Sequence, residues 1–267
     1  YALAQETFGK LKAAPVPERK MPVEQPLTEN RKLTVSGPEA AHTRLGWRIE
    51  RTPRNGALVT LIARLLKDSG YGLLEQNLLR TQKLLGAGCH LRTGREYMLF
   101  LLDGSPRAGQ SLDEVSSLLL AELEKLRKGE YGDWRIGAVA ENCRVTIEEI
   151  REGDNMNLAW EFADLFVNGD SYAELLATPD RIAGFTKKDV TEFIEKYFKY
   201  HIRVDKTTGE PTNRVKVEKP KITPVALNSE KESEYSRAFL RLPPPPAIEP
   251  RFVDVAKDIS SVELPNG

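Results

Sequence analysis

The chain has 267 residues, enough for one large domain or for one domain with appended segments. Its 39 acidic and 39 basic residues cancel, which argues against recruitment of nucleic acid or of an anionic membrane by net charge. Hydrophobic residues make up 40%, and no apolar run is long enough to span a bilayer, which is typical of a soluble protein of the cytoplasm or periplasm. The chain starts at Tyr1 without a signal-peptide pattern, and we expect a piece of a longer protein or a processed product.

Residues 1–30 predict the end of a preceding domain followed by a linker. Residues 4–12 have the composition of a helix end. Four prolines then fall within residues 13–31, and proline interrupts both helices and strand ladders. We therefore predict that the compact domain begins at residue 31.

The compact domain opens with two predicted strands, residues 32–36 and 42–50. In the second strand Thr43, Leu45, Trp47 and Ile49 alternate with polar residues, which is typical of a sheet with one buried face. His42 falls on the polar face, a position typical of a solvated histidine rather than a metal ligand.

Two helices and a hairpin follow. Thr52 and Pro53 indicate the first helix start, and leucine spacing predicts a second helix at about residues 72–85 that ends at Gly86. Cys89 then alternates with His90 in a strand, paired with a second strand at 97–102. Adjacent strand residues point to opposite faces, so we predict a core thiol and an outward imidazole instead of a metal site.

The rest of the domain is predicted to be helical up to a closing strand at 201–206. N-caps are indicated at Ser111, Asp133, Ser171 and Thr186, and Cys143 lies on the apolar face of the helix after Asp133. The order of elements over residues 31–206 predicts an α+β fold, a layered sandwich in which an antiparallel-rich sheet is covered by helices. Residues 207–267, rich in proline, predict an extended linker that lies on a partner or tethers one.

No motif of known catalytic chemistry is present. The chain lacks an H-x-x-E-H zinc helix, a phosphate-binding loop with its lysine, a dinucleotide fingerprint and a G-x-S-x-G elbow. Its three histidines and two cysteines are scattered without metal-ligand spacing. We therefore predict neither a catalytic residue nor a metal or other cofactor within this chain.

Four segments in order nevertheless resemble the insulinase/pitrilysin family of zinc metallopeptidases, and specifically its non-catalytic second domain. They are "ALAQETFGKLKAAPVPE", "RKLTVSGPEAAHTRLGWRI", "LIARLLKDSGYGLLEQNLLRTQKLLGAG" and "ATPDRIAGFTKKDVTEFIEKYF". The resemblance covers about residues 4–200 and implies the fold of the LuxS and processing-peptidase type. It also implies that this domain helps to enclose a chamber for a peptide substrate, together with a catalytic domain and a second half in the same or a paired chain.

The resemblance further implies that zinc is bound elsewhere in the parent protein, by an H-x-x-E-H helix outside this chain. In the family an arginine and a tyrosine seven residues later help to bind substrate. Here the arginine corresponds to Arg80, a candidate for substrate binding, but the tyrosine position holds Ala87. A solvated helix charge is an equally good interpretation of Arg80.

Two functions from different classes fit these observations. In the first, the chain is a non-catalytic, substrate-enclosing domain of an active zinc endopeptidase. In the second, it belongs to an inactive family member and acts as a structural, assembly or peptide-binding module. An H-x-x-E-H helix upstream of this segment in the parent would distinguish the first from the second.

Overall fold

The computed structural model describes residues 2–12, 14, 15, 24–68, 70–211, 220, 221, 223, 225, 227, 231–243 and 257. The chain divides into two units, Tyr1–Arg214 and Val215–Gly267. The second unit contains a short helix, Glu234–Leu240, whose first turn is capped by Ser233. Residues 1, 13 and 16–23 of the predicted N-terminal segment 1–30, and most of the predicted linker at 207–267, lie outside the described residues. No described helix combines the length and apolar character needed to cross a membrane.

In the first unit the elements occur in the predicted order. After helix α1 (Ala2–Phe8), the strands are β1 (Arg31–Gly37), β2 (His42–Glu50), β3 (Gly86–Thr93), β4 (Tyr97–Ser105) and β5 (Ile202–Thr208). The other α-helices are α2 (Pro53–Lys67), α3 (Leu112–Arg127), α4 (Trp134–Glu152), α5 (Asn155–Asn168), α6 (Tyr172–Ala183) and α7 (Lys187–Tyr197), and a π-helix spans Glu75–Leu79.

One five-stranded sheet organises this unit, in the order β1-β5-β2-β4-β3. Only β1 and β5 pair in parallel, and the other neighbours are antiparallel. The predicted α+β fold with an antiparallel-rich sheet is therefore confirmed. The parallel β1–β5 pair joins the two ends of the domain, since these strands are far apart in sequence.

The core lies between the sheet and the helices. Thr43, Leu45, Trp47 and Ile49 are all buried, as the alternation in β2 predicts. Trp47 packs edge-on against Phe100 of β4, with ring centroids 5.9 Å apart. On the same face of β4, Gly104 lets α3 approach closely, because a Cβ atom there would lie 2.5 Å from a methyl group of Val115.

A buried ionic cluster fastens β5 to β1 and β2. Arg203 donates two hydrogen bonds of 2.7 Å to the carboxylate of Asp205, Thr43 donates a third, and the Lys32 ammonium lies 3.3 Å away. Burial alone would raise the pKa of Asp205, but the bonds from Arg203, Thr43 and Lys32 outweigh it and hold that pKa below its ordinary value.

The predicted helix at 72–85 is wrong in its second half. The π-helix ends at Leu79, and Gln82 takes a positive φ of 55°. The Leu85 amide already donates to the Ser105 carbonyl of the hairpin, and Leu84 rather than Leu85 is buried. Pairing with β4 therefore outweighs helix propensity from residue 80 onwards.

The predicted N-caps hold with one exception. Thr52, Ser111, Ser171 and Thr186 each accept a hydrogen bond from the backbone amide three residues later. Asp133 makes no such bond, and its carboxylate instead lies 2.6 Å from the Lys187 ammonium. Its backbone is helical, which turns the side chain away from the free amides of the first turn.

Candidate functional site

One face of the sheet carries the helices, and the other, which we call the open face, is left largely uncovered by the described residues. Leu33 on this face is 58% exposed, and Val35, Tyr97 and Ile202 are also exposed. Strand register aligns the side chains that form it. They are Arg31, Leu33 and Val35 of β1, Ile202, Val204 and Lys206 of β5, Arg44, Arg48 and Glu50 of β2, Tyr97, Leu99, Leu101 and Asp103 of β4, and His90 and Arg92 of β3.

The open face combines apolar side chains with an excess of cations. Arg31, Arg44, Arg48, Arg92 and Lys206 share this face with the carboxylates of Glu50 and Asp103. Glu24 and Glu39 of the flanking segments pair with Arg48 and Lys206, so five cations meet four carboxylates. Guanidinium groups donate to carbonyl and carboxylate oxygens, and the exposed aliphatic chains offer apolar contact. These are the two kinds of contact that an extended peptide can use.

Arg48 shows this chemistry within the chain itself. Its guanidinium donates to the carbonyl oxygens of Glu24 and Gln25, at 3.0 and 3.2 Å, and to the Glu24 carboxylate at 2.5 Å. The same group lies over the Tyr97 ring, 6.0 Å from its centroid. An arginine of the open face, on the central strand β2, thus already holds a stretch of backbone against that face.

A charged row crosses three strands of the open face. Asp103 accepts a short hydrogen bond from Arg44 Nε, and its other carboxylate oxygen lies 3.4 Å from His90 Nε2. Among the described residues no hydroxyl or thiol is hydrogen-bonded to His90, so the row contains no activated nucleophile. Its chemical capacity is charge placement and hydrogen bonding.

The edge of the sheet next to this row is the eight-residue strand β3. Its one sheet neighbour in the described structure is β4, so backbone N–H and C=O groups along its outer side are not used in a ladder. Such an edge can pair with an added extended segment. Gly86 and Gly88 keep its first residues free of bulky side chains on the open face.

The structure places Arg80 before this edge strand rather than within it. Arg80 ends the π-helix, its side chain is 58% exposed, and its Nε lies 3.5 Å from Glu75 Oε1. A contact of this length leaves the guanidinium available for another acceptor. Ala87 pairs with Gly104 and packs against the core, so the two positions do not share a surface.

The cysteines lie where the sequence predicts. Cys89 and Cys143 are buried free thiols, and burial raises the pKa of both. His90 points outward as predicted, and His42 is half-buried with Nδ1 3.4 Å from the Ala40 carbonyl. Burial, with a smaller effect of Arg203, lowers the pKa of His201, whose ring packs on Trp47.

No three His, Cys, Asp or Glu side chains of the described residues converge as metal ligands. The donors present therefore do not fit a zinc site in that part of the chain.

Sequence reasoning found only part of the open face. It placed Arg44 and Arg48 on the polar side of β2, which is a local pattern. The contributions of Lys206, Arg92 and Asp103 depend on strand order and register. The alternation of polar and apolar residues assigns each residue to one face of its own strand, but it does not determine which strands are neighbours.

Comparison with known proteins agrees with this fold. The sequence model of the family described as peptidase M16 inactive domain matches residues 1–142. No curated protein sequence matches the chain. A protease from Helicobacter pylori superposes with a TM-score of 0.66 and 19% identity, over 77% of this chain and 51% of that chain.

Two further structures give similar results. A peptidase M16 inactive domain from Pseudomonas fluorescens has a TM-score of 0.61 and 14% identity, over 80% of this chain and 52% of that chain. The periplasmic protease PqqL from Escherichia coli has a TM-score of 0.57 and 17% identity, over 78% of this chain and 24% of that chain. At these identities the likeness shows the fold, and this chain spans about half of the Helicobacter pylori protein.

Proposed function

Because this chain belongs to the peptidase M16 inactive-domain family, we propose that it is a non-catalytic domain of a zinc metalloendopeptidase and that its open face lines a peptide-enclosing chamber. The family membership bears out the resemblance to insulinase and pitrilysin. In this proposal the zinc and its ligands belong to another part of the parent, since the described residues offer no suitable donor set.

The observation that carries the proposal is the basic and apolar open face beside an unpaired edge strand. A domain that served only as a spacer would not be expected to leave a sheet face with exposed leucine, valine and isoleucine. Peptide carbonyls and a terminal carboxylate would complement its cations, and the β3 edge would pair with peptide backbone. Arg80 precedes this edge strand in the chain, and in this proposal its exposed guanidinium adds one more cationic donor.

The test measures peptide binding to the purified chain and peptide cleavage by the full-length parent. A fluorescein-labelled extended peptide with a free C-terminal carboxylate is titrated with the wild type and with Arg92→Ala and Arg80→Ala. Both arginines are exposed, so we expect each variant to weaken binding about three- to tenfold, less than the roughly 1.5–3 kcal/mol of a charge-assisted hydrogen bond because solvent screens exposed charges. In the parent, KM should rise by a similar factor.

The matched control is Lys188→Ala on α7, an exposed cation on the helical side of the sheet. It should leave peptide affinity unchanged, and all three variants should melt like the wild type because exposed cations contribute little to stability. If only Arg80→Ala leaves binding unchanged, Arg80 is a solvated helix charge. If neither arginine variant weakens binding, chamber lining is wrong and the assembly-module alternative takes its place.

A further inference from the structure

Helix α5 presents its apolar side chains to solvent. Met156, Trp160, Phe166 and Val167 are 65%, 64%, 86% and 66% exposed. The side turned towards the domain instead carries Leu158, Glu161, Leu165 and Asn168, which are only half-buried. A surface helix of a globular protein normally has the opposite arrangement.

The inner side of α5 does not fill the space beneath it. A groove of about 1050 Å³ runs there, and Glu161, Asp164, Leu165 and Asn168 contribute to its lining. Burial in this domain therefore does not explain why the sequence of α5 is so apolar.

Both ends of α5 are nevertheless fixed. Asp154 accepts from the Asn157 amide at 2.9 Å, and Gly169 ends the helix in the left-handed conformation with φ of 74°. Arg51 donates to the Asn168 carbonyl and forms an ion pair with Asp170. The outward apolar stripe is thus presented on a preformed helix.

Charge around the stripe indicates what could cover it. Residues 141–180 contain ten acidic and two basic residues in a chain whose net charge is zero. Glu152 lies three residues before the first residue of α5, Asp164 lies on α5 itself, and neither carboxylate forms an ion pair with the described residues. The surface is therefore apolar with an acidic margin.

We propose that this α5 surface, formed by Met156, Trp160, Phe166 and Val167 with Glu152 and Asp164 at its margin, docks a partner helix that has an apolar stripe flanked by lysine or arginine. Ala159 and Ala163 lie one turn apart between the large side chains and leave room for such a helix to approach. Anionic lipid and nucleic acid have the wrong charge for this margin. The proposal is independent of the open face, which lies on the other side of the sheet from the helices.

Two labelled amphipathic peptides of about 18 residues, five helical turns, test the proposal. Both carry leucine at helical spacing, with lysine at the remaining positions of one peptide and glutamate in the other. We expect the lysine peptide to bind the intact chain at least about tenfold more tightly than the glutamate peptide, with the preference reduced at high salt. Binding should also shift Trp160 emission to the blue, measured in a Trp134→Phe background that removes the other exposed tryptophan.

Trp160→Ser should weaken binding of the lysine peptide about tenfold or more, since a tryptophan at the centre of an interface carries much of its energy. Trp134→Ser is the matched control because it removes an exposed indole outside the stripe and should leave binding unchanged. Asp164→Lys should lower affinity for the lysine peptide and raise it for the glutamate peptide. Thermal melts should show that Trp160→Ser and Asp164→Lys retain the fold.

Four outcomes would overturn the proposal. The first is equal binding of both peptides, and the second is an unchanged affinity of the Trp160→Ser variant. The third is self-association of the chain in sedimentation that Trp160→Ser abolishes, which would make a second copy the occupant. The fourth is a blue shift of Trp160 on neutral phosphatidylcholine vesicles without peptide, which would indicate a lipid surface.

Discussion

At the scale of single residues, Cys89 and His90 show how strand geometry separates neighbours in sequence. Cys89 pairs with Leu102 and is buried in the core, whereas His90 pairs with Leu101 on the open face and reaches Asp103. A thiol and an imidazole on opposite sides of one strand cannot act on the same atom. The first therefore contributes packing and the second contributes a polar side chain to the open face.

Replacing these two residues should separate the two roles. Cys89→Leu adds volume to a filled core and should lower the free energy of unfolding by about 1–3 kcal/mol. His90→Gln, at the exposed neighbour, should change it by less than about 0.5 kcal/mol. Urea unfolding at neutral pH measures both, and a Cys89→Leu variant as stable as the wild type would show that the core around β3 is loosely packed.

At the scale of secondary-structure elements, helix starts differ in how completely they are capped. Ser111 and Ser171 each bind the amide three residues later, while the Glu114 carboxylate turns to Gln110. At α7 the box is complete, because Thr186 binds the Asp189 amide and the Asp189 carboxylate binds back to the Thr186 amide. Asp189 also pairs with Arg54 of α2 at 2.7 Å, so this cap ties two helices together.

Asp189 should make stability depend on pH in the acid range. Hydrogen bonds from Thr186 and Arg54 lower its pKa from 3.8 to about 2. Because the folded-state pKa lies below the ordinary value, the stabilisation is complete above about pH 4 and is lost as the pH falls towards 2. Asp189→Asn should cost about 1 kcal/mol at pH 7, and the cost should diminish as the pH falls through this range.

Urea midpoints measured from pH 7 down to pH 2 test this, with Asp164→Asn as the control at an exposed aspartate of α5. The control should follow the wild-type curve throughout. If the urea midpoints of Asp189→Asn and the wild type differ by the same amount at every pH, the carboxylate charge has no part in the cap.

At the scale of the whole molecule, the first unit is a sheet with helices packed on one face and two surfaces left without a described cover. The open face is basic, and the α5 surface is apolar with an acidic margin. Partners of opposite charge would thus be directed to different sides of the domain. In the two proposals made above, the domain binds a peptide on one side and a partner helix on the other.

The distribution of metal donors over the whole chain leads to the last prediction. Each histidine lies on a different element, and Cys89 and His90, which share β3, point to opposite faces. The purified chain should therefore carry less than stoichiometric zinc and should not cleave a quenched peptide in a chelator-sensitive manner. Elemental analysis after dialysis against zinc-free buffer gives the measurement. One tightly held zinc ion per chain would contradict it.

Local patterns in the sequence were enough for much of this structure. Three features depend only on residues close in sequence: the buried face of β2, the burial of Cys89 and Cys143, and the caps at Thr52 and Thr186. The period of a strand or helix determines the first two, and the short reach of a capping side chain determines the third. The order of the elements was sufficient to predict the α+β class. The resemblance to a metallopeptidase family added the expectation for Arg80, which stays a prediction.

Tertiary structure alone decided the rest, because those features depend on which distant segments meet. Pairing of Leu85 with Ser105 ends the helical segment early, and the parallel register of β1 with β5 brings Arg31 and Lys206 onto the open face. The helical periodicity of α5 was readable in the sequence, but its outward apolar side was not. An apolar stripe predicts burial, and only the positions of the neighbouring described helices show that none of them covers it.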